Sequence, residues 1–299
     1  SMDAAGIGPG DEVITTAFTF VASTETIVQV GATPVFVDIE PATFQMDPTL
    51  IEAAITPRTK AIMPIHLFGQ VCDMNAIMEI AKRHGLIVLE DAAQALGAKR
   101  NGVAAGNWGL LSGVSFYVTK NLGAVGDAGM ILTNDDEMAE RVKSFRIHGM
   151  GRERYYYDHV GYTSRLDEIQ AAFMRVKLRV LDRWTKRRAE IAAIYAEGLT
   201  GTSVTPPPVA PGVETTWHQY SVRTEKRSEL AAWLKEAGID SMIYYPVPLH
   251  FHSPYAQYSP GEGILVETER ASREILNLPI HPHLSDEQAR AVVERVRQF

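Results

Sequence analysis

Residues 86–94 read Leu86-Ile87-Val88-Leu89-Glu90-Asp91-Ala92-Ala93-Gln94. A continuous apolar run of this length is typical of a strand that is buried on both faces of a parallel sheet. In open α/β sheets, ligands bind beyond the carboxyl ends of the strands, so Asp91 is a candidate binding residue. The alternative is that Asp91 caps the start of a helix, and this stretch alone does not separate the two interpretations.

Strand-like apolar runs recur through the first two-thirds of the chain and alternate with amphipathic patterns. The predicted strands are Val13–Thr16, Val35–Ile39, Ala61–His66, Leu86–Glu90, Val114–Tyr117 and Met130–Thr133. Between several of them lie helical patterns, among them Met74–His84 and Glu137–Phe145. This alternation predicts an α/β fold with a mostly parallel central sheet that is covered on both faces.

A proline-rich segment follows at Thr202–Val213, where both helix and sheet are interrupted. It predicts a crossover between a large α/β domain, residues 1–200, and a smaller α+β domain, residues 201–299. The elements predicted in the smaller domain are strands at Gln219–Thr224 and Asp240–Tyr245, and helices at Arg227–Glu236, at Glu267–Leu276 and from Asp286 onward.

A long helix is predicted from Ser164, which can cap it while Asp167 occupies the third position. Apolar residues then recur at helical spacing: Leu166, Ile169, Phe173, Val176, Val180 and Trp184. We expect this stripe to pack in the core.

Composition excludes several classes of function. The 299 residues carry 29 basic and 36 acidic side chains, a net charge of −7, which argues against nucleic-acid or anionic-membrane partners. No apolar run approaches the length of a membrane span. The single cysteine, Cys72, excludes an internal disulfide framework and favours a cytoplasmic setting. The histidines, His218 among them, lack metal-site spacing, so we expect no metal and treat them as core or surface residues.

A second stretch with chemical potential is Ser115-Phe116-Tyr117-Val118-Thr119-Lys120-Asn121-Leu122-Gly123, followed by Gly126–Gly129. A lysine in a partly buried turn can become a nucleophile toward carbonyls, although a surface loop is the simpler interpretation of Lys120 alone. A serine at a strand end can hold a phosphate together with backbone N–H groups. Asp91, Ser115 and Lys120 together are what a pyridoxal phosphate site needs.

With these motifs the chain resembles the DegT/DnrJ/EryC1/StrS family of sugar aminotransferases, in the fold-type I group of pyridoxal phosphate-dependent enzymes. The matching motifs occur in family order: Gly6–Ile14, Phe18–Ser23, Glu90–Gln94, Ser115–Gly129, Gly161–Ala172 and Tyr244–His250. The resemblance implies a fold-type I transferase, whose large domain binds pyridoxal 5'-phosphate and whose smaller C-terminal domain is α+β.

The resemblance also assigns roles to individual residues. Lys120 matches the lysine that forms an imine with the cofactor, and Asp91 matches the acid that faces the pyridine nitrogen. Gln94 matches the residue near the phenolic oxygen of the ring, Ser115 a phosphate ligand, and Phe20 the aromatic residue that stacks on the ring. For Phe20 and Gln94, ordinary packing is the alternative.

Further matching positions concern the substrate and a second subunit. Thr163 stands where many relatives have an asparagine that reaches the cofactor phosphate of the neighbouring subunit, so the resemblance implies a homodimer with shared active sites. Arg165, Tyr244, Tyr245 and His250 match positions near the substrate mouth.

The lysine at position 120 separates two activities within the family, since relatives that remove a sugar hydroxyl carry histidine there. The resemblance therefore implies transamination, with glutamate as amino donor and a nucleotide-linked keto-sugar as acceptor. The match around Trp217–Tyr220 and Tyr245–His250 favours a 3-keto-sugar over a 4-keto-sugar.

Two other hypotheses stay open at this point. Family members normally begin several tens of residues earlier, with a turn that also grips the cofactor phosphate. The opening residues Asp3–Gly6 therefore suggest an N-terminally shortened chain, or a regulatory, non-catalytic member with weak or no cofactor binding. The acid-ended strand also suggests a nicotinamide-dependent sugar oxidoreductase, although no glycine-rich turn follows a strand.

Overall fold

A computed structural model describes residues 1–299 of the protein. The strands are β1 (Glu12–Thr16), β2 (Thr33–Val37), β3 (Thr59–Ile62), β4 (Ile87–Asp91), β5 (Lys99–Arg100), β6 (Val103–Ala104), β7 (Leu111–Ser115), β8 (Gly129–Leu132), β9 (Val213–Glu214), β10 (Tyr220–Arg223) and β11 (Ile275–Leu278). The helices are α1 (Val21–Gln29), α2 (Ile51–Ala54), α3 (Met74–His84), α4 (Asp136–Arg146), α5 (Glu168–Leu178), α6 (Leu181–Gly198), α7 (Arg227–Glu236), α8 (Val266–Glu274) and α9 (Asp286–Arg297). None of the helices combines the length and the apolar character that crossing a bilayer requires.

The main sheet has the strand order β2-β1-β3-β4-β7-β8. Its strands are parallel except β8, which pairs antiparallel with β7. The predicted α/β fold with a mostly parallel sheet is therefore confirmed. Because the carboxyl ends of β1, β4 and β7 lie at one edge, the residues that follow these strands meet there.

Helix α3 shows how local sequence sets these elements. Asp73 Oδ1 accepts a hydrogen bond of 3.4 Å from the backbone N–H of Ala76, which caps the start of the helix. Gly85 ends it in the left-handed conformation with φ of 65°. Its buried face carries Met74, Ile77, Ile80 and Ala81, and it packs in the same core as Ile62 and Val88 of the sheet. The helix thereby covers one face of the sheet.

A second core lies among α6, α7, α9 and the two-stranded sheet of β10 and β11, and its members include Ile191, Tyr220, Leu230, Leu276 and Val293. The predicted strand over residues 240–245 is wrong, since only Met242 bridges to Asn277. The predicted helix over residues 267–276 ends at Glu274, where the chain extends into β11. The domain boundary after residue 200 stays a prediction.

The predicted long helix is two helices, α5 and α6. The first begins after Asp167, and no side chain caps it, so the prediction of a Ser164 cap is wrong. The expected core stripe is also wrong for Ile169, Phe173 and Val176, which are 72%, 50% and 63% exposed. Met174, on another face of α5, is the residue that this helix buries. The part of the apolar stripe that lies on α5 therefore faces outward, whereas Leu166 packs against the core.

Candidate active site

Asp91 lies at the carboxyl end of β4, where its carboxylate is held from two directions. Ser23 donates its hydroxyl to Asp91 Oδ2 at 2.7 Å, and the backbone N–H of Ala93 donates to Oδ1 at 3.1 Å. No helix follows directly, since residues 92–98 form turns, so the interpretation of Asp91 as a helix cap is wrong. A half-buried carboxylate in a fixed orientation is available to a cationic partner.

Lys120 follows β7 in a tight turn, in which its backbone N–H donates to the carbonyl of Tyr117 at 2.8 Å. Its side chain is half-buried. Burial lowers the pKa of the Lys120 amine, and the negative charge of Asp91 opposes that shift in part. The two residues therefore share one electrostatic environment, in which the amine loses its proton more readily than a surface lysine does.

An aromatic face stands beside this pair. Phe20, directly before α1, is 56% exposed, and its ring lies 6.4 Å from that of Tyr245. Gln94 Nε2 donates to the hydroxyl of Tyr245 at 3.1 Å, while Gln94 Oε1 accepts from the backbone N–H of Phe68 at 2.8 Å. Burial raises the pKa of the Tyr245 hydroxyl, so it stays protonated at neutral pH. The structure thus brings Phe20, Gln94 and Tyr245 together.

Ser115 and Thr163 have different surroundings. Ser115 ends β7, and its Oγ accepts a hydrogen bond of 3.2 Å from the backbone N–H of Tyr117, which leaves its hydroxyl proton free to donate. Thr163 is exposed, and its Oγ1 lies 3.4 Å from the ring nitrogens of His148. Arg165 is also exposed. Within one chain, no hydrogen bond joins Thr163 or Arg165 to Asp91 or Lys120, so their roles stay predictions.

The family resemblance predicts that His250 and Tyr244 lie near the substrate mouth. The structure places His250 in the interior, 1% exposed, with Nε2 3.7 Å from Glu269 Oε1 and its ring beside Phe251. Tyr244 is half-buried, and its ring centroid lies 5.7 Å from that of Tyr245. Of the four residues predicted near the substrate mouth, Tyr245 lies beside Phe20, and Tyr244 lies beside Tyr245. A substrate role for any of the four stays a prediction.

Two residues near Lys120, His218 and Asn121, make a contact that no sequence motif indicates. His218 Nδ1 lies 3.2 Å from Oδ1 of Asn121, the residue directly after Lys120. Burial lowers the pKa of His218 well below its ordinary value, and the charges of Lys120 and Arg188 act in the same direction. The feature of the sequence that could have indicated a role for Asn121 is its position directly after Lys120.

The residues at this edge fit pyridoxal phosphate. Lys120 offers an amine with a lowered pKa, and Asp91 offers a carboxylate that only accepts hydrogen bonds. Phe20 exposes a flat ring, and Ser115 retains a hydroxyl proton to donate. Each group of the cofactor, aldehyde, ring nitrogen, ring face and phosphate, therefore has a chemically suitable residue.

The model of the DegT/DnrJ/EryC1/StrS aminotransferase family matches residues 1–297. The chain belongs to this family. The sequence-based assignment to it is confirmed, and so is the expectation of a sugar aminotransferase.

Two relatives illustrate the range of the family. The chain is 53% identical to a pleiotropic regulatory protein from Geobacillus stearothermophilus, covering 100% of this chain and 81% of the relative. It is 46% identical to the dTDP-3-amino-3,4,6-trideoxy-alpha-D-glucose transaminase of Streptomyces venezuelae, covering 98% of this chain and 78% of the relative.

Solved structures agree with both the fold and the cofactor. DesV from S. venezuelae, in complex with a ketimine intermediate, has a TM-score of 0.96 at 45% identity and covers 99% of this chain and 80% of its own. The PLP form of the putative sugar aminotransferase Spr1654 from Streptococcus pneumoniae has a TM-score of 0.93 at 29% identity, covering 99% and 82%. The expectation of pyridoxal phosphate as cofactor is confirmed.

Proposed function

We propose that the protein transfers the amino group of glutamate to a nucleotide-linked 3-keto-sugar. The observation that carries this proposal is the half-buried Lys120 amine beside the Asp91 carboxylate, at the carboxyl edge of the sheet of an aminotransferase. The 3-keto position is supported by the 46% identity to a transaminase that is named for a 3-amino sugar.

Each side chain has a distinct task in this reaction. Pyridoxal phosphate, when bound, supplies an electron sink for the substrate carbon. Asp91 would hold the protonated ring nitrogen, and Ser23 and the N–H of Ala93 keep its carboxylate oriented for that contact. Phe20 and Ser115 would hold the ring and the phosphate. The Lys120 Nζ atom would move a proton between the substrate carbon and the cofactor, which requires the unprotonated amine that burial favours.

A homodimer with shared sites is part of the proposal. Ile169, Phe173 and Val176 follow the i, i+4, i+7 pattern of one helix face, and all three are exposed. A contiguous apolar face of this kind marks a protein–protein contact. Gln170 of α5 donates a hydrogen bond of 3.0 Å to the carbonyl of Asp127, in the loop that follows Lys120, so a second copy that covers α5 would bring its own segment around Thr163 close to this edge. The buried, free Cys72 supports a cytoplasmic setting as a further part of the proposal.

The decisive experiment is a substrate panel. The protein with pyridoxal phosphate and glutamate is incubated with dTDP- and UDP-linked 3-keto- and 4-keto-sugars, and mass spectrometry measures amino-sugar and 2-oxoglutarate. We expect both products with a 3-keto-sugar, and neither from the Lys120→Ala variant. Product from 4-keto-sugars alone would refute the position of amination, and no product from any keto-sugar would refute the function.

A regulatory, non-catalytic role is the second candidate, favoured by the name of the relative from G. stearothermophilus. It predicts that glutamate alone leaves the absorbance of the bound cofactor unchanged. Conversion of that absorbance by glutamate supports the aminotransferase, because it is the first half of the reaction. The nicotinamide-dependent alternative is set aside, since the chain belongs to an aminotransferase family.

A further inference from the structure

The side chain of His218 is buried against the turn that carries Lys120. Asn121 Nδ2 donates to the carbonyl of Thr216 at 3.0 Å, and a carbonyl can only accept. Asn121 Oδ1 therefore faces His218, 3.2 Å from its Nδ1 atom. An amide oxygen also only accepts, so the hydrogen-bond pattern assigns the imidazole proton to Nδ1. His218 thus donates to the residue that follows the lysine.

The segment that carries His218 rests on a fixed base. Gly69 O accepts from the Thr216 N–H at 3.0 Å and from the Thr215 hydroxyl at 2.9 Å. Gly69 adopts φ of +98°, and a Cβ atom there would lie 2.9 Å from the backbone nitrogen of His218. Only glycine permits this close approach. Backbone contacts on one side and Asn121 on the other therefore hold the imidazole in place.

Burial, and then the neighbouring positive charges, lower the pKa of His218 and keep its ring neutral. Lys120 and Arg188 are the cations that act on it, and no carboxylate contributes to its pKa, which burial lowers. The Arg188 guanidinium is held nearby, where it donates to the carbonyl of Trp217 at 3.0 Å. A neutral imidazole can hold Asn121 without placing a further positive charge beside Lys120.

We propose that His218 is a positioning residue for Lys120, because its hydrogen bond to Asn121 holds the turn that keeps the lysine amine half-buried beside Asp91. The inference rests on the proposed function for its catalytic meaning. It concerns the amine itself, however, and is testable without substrate or cofactor.

The test compares three variants of the full chain. His218→Asn retains an amide N–H near the place of Nδ1, whereas His218→Gln extends its amide to the place of Nε2. Asn121→Leu removes both hydrogen bonds of Asn121 at similar volume. Before pyridoxal phosphate is added, each protein is labelled with trace acetic anhydride over a pH series. Peptide mass spectrometry then gives the labelling rate of Lys120 relative to the exposed Lys82.

A loosened turn exposes the amine to water, which favours the ammonium form. We expect His218→Gln and Asn121→Leu to lower the Lys120 labelling rate at neutral pH about tenfold, with the midpoint of the pH profile moved to higher pH. The Lys120 labelling rate of His218→Asn should stay within about twofold of the wild type, because this variant retains the hydrogen bond to Asn121 that holds the turn.

Wild-type labelling of Lys120 in both His218→Gln and Asn121→Leu would overturn the inference, and so would an equal loss in all three variants. Thermal unfolding identifies any variant that does not fold. Should His218→Gln fail to fold, Asn121→Leu provides the test, because Asn121 is only half-buried and its substitution disturbs the core less. Failure of the proposed function is separate: the wild type would aminate no keto-sugar while the labelling pattern held.

Discussion

The Ser23 hydroxyl donates a hydrogen bond of 2.7 Å to Asp91 Oδ2, which joins the first turn of α1 to the carboxyl end of β4. Ser23 is buried, and its Oγ also lies 3.1 Å from the Thr19 hydroxyl. The carboxylate that is proposed to hold the cofactor nitrogen is therefore oriented by a buried hydroxyl from a different element of the fold.

Ser23→Ala should weaken the binding of pyridoxal phosphate about tenfold, because a buried hydrogen bond to a charged acceptor is lost. Fluorescence titration measures the dissociation constant. Thr26→Ala is the matched control, since it removes a hydroxyl of the same helix that donates only to the carbonyl of Ser23. Equal affinities of the two variants would contradict the role of Ser23.

Lys120→Ala should lower the rate of transamination by about 10²–10⁴-fold, because the Lys120 amine is the group proposed to move the substrate proton. Borohydride should attach the cofactor to the wild-type chain at Lys120, as peptide mass spectrometry shows, and should attach none to the variant. Gln94→Ala should only slow the reaction, since Gln94 contacts Tyr245 and its amide is not an acid or base that transfers a proton at neutral pH. Attachment of the cofactor at another lysine would contradict the assignment.

The sequence was sufficient to predict that Asp91 and Lys120 meet. Each follows an apolar strand, and the carboxyl ends of parallel strands share one edge of a sheet. The His218–Asn121 contact could not be predicted in this way, because these residues lie 97 positions apart. The contact depends on the segment that carries His218, which hydrogen-bonds to Gly69 through Thr215 and Thr216. No local sequence pattern predicts this long-range packing.

The outward direction of the α5 stripe was also beyond the sequence. A period of 3.6 residues shows that Ile169, Phe173 and Val176 share a face, but a core and a partner subunit produce the same pattern. The position of Met174 decides the matter in the structure, since its burial turns the other face outward. His250 likewise occupies its expected place in the family motif, but its burial results from tertiary packing and could not be predicted from that motif.

Asp91→Asn should make the Lys120 amine more reactive in the absence of cofactor and yet slow transamination. The negative charge of Asp91 raises the pKa of the Lys120 amine, so its removal lowers that pKa further. In the absence of cofactor, acetic anhydride should therefore label Lys120 faster at neutral pH. Transamination should nevertheless fall about a hundredfold, because the neutral amide no longer stabilises a protonated ring nitrogen. Slower labelling of the variant would contradict the shared electrostatic environment.

Glu90, the neighbour of Asp91, should contribute strongly to stability. Its buried carboxylate accepts hydrogen bonds from the N–H groups of Gly106, Trp108 and Gly109, each at 2.8 Å, and lies 2.9 Å from His66 Nε2. In Glu90→Gln, the side-chain NH₂ group replaces one carboxylate oxygen and faces a backbone N–H group or His66, so at least one of these hydrogen bonds is lost. We expect it to lower the free energy of unfolding by about 2–4 kcal/mol at pH 7, measured by urea denaturation.

On the acid side, the stabilisation by Glu90 should weaken as the pH falls. Burial alone would raise the pKa of Glu90, but His66 and the backbone N–H groups outweigh it and lower the pKa. The stabilisation is therefore present above the ordinary glutamate pKa of about 4.3 and is lost as the pH falls through the lower folded-state value. Glu52→Gln, at an exposed ion pair with Arg83, should change stability by less than about 1 kcal/mol. Equal effects of the two variants would contradict the role of Glu90.

Phe173→Glu should convert a dimer into a monomer. Burying an aromatic or aliphatic side chain of the α5 face contributes about 1.5–3 kcal/mol, and a carboxylate at its centre reverses that contribution. Light scattering after size-exclusion chromatography gives the mass of each form. Leu50→Glu is the control, because Leu50 is a similarly exposed apolar residue outside the face. A wild-type monomer, or a Phe173→Glu dimer, would refute the proposed shared site, whereas a monomer without transaminase activity supports it.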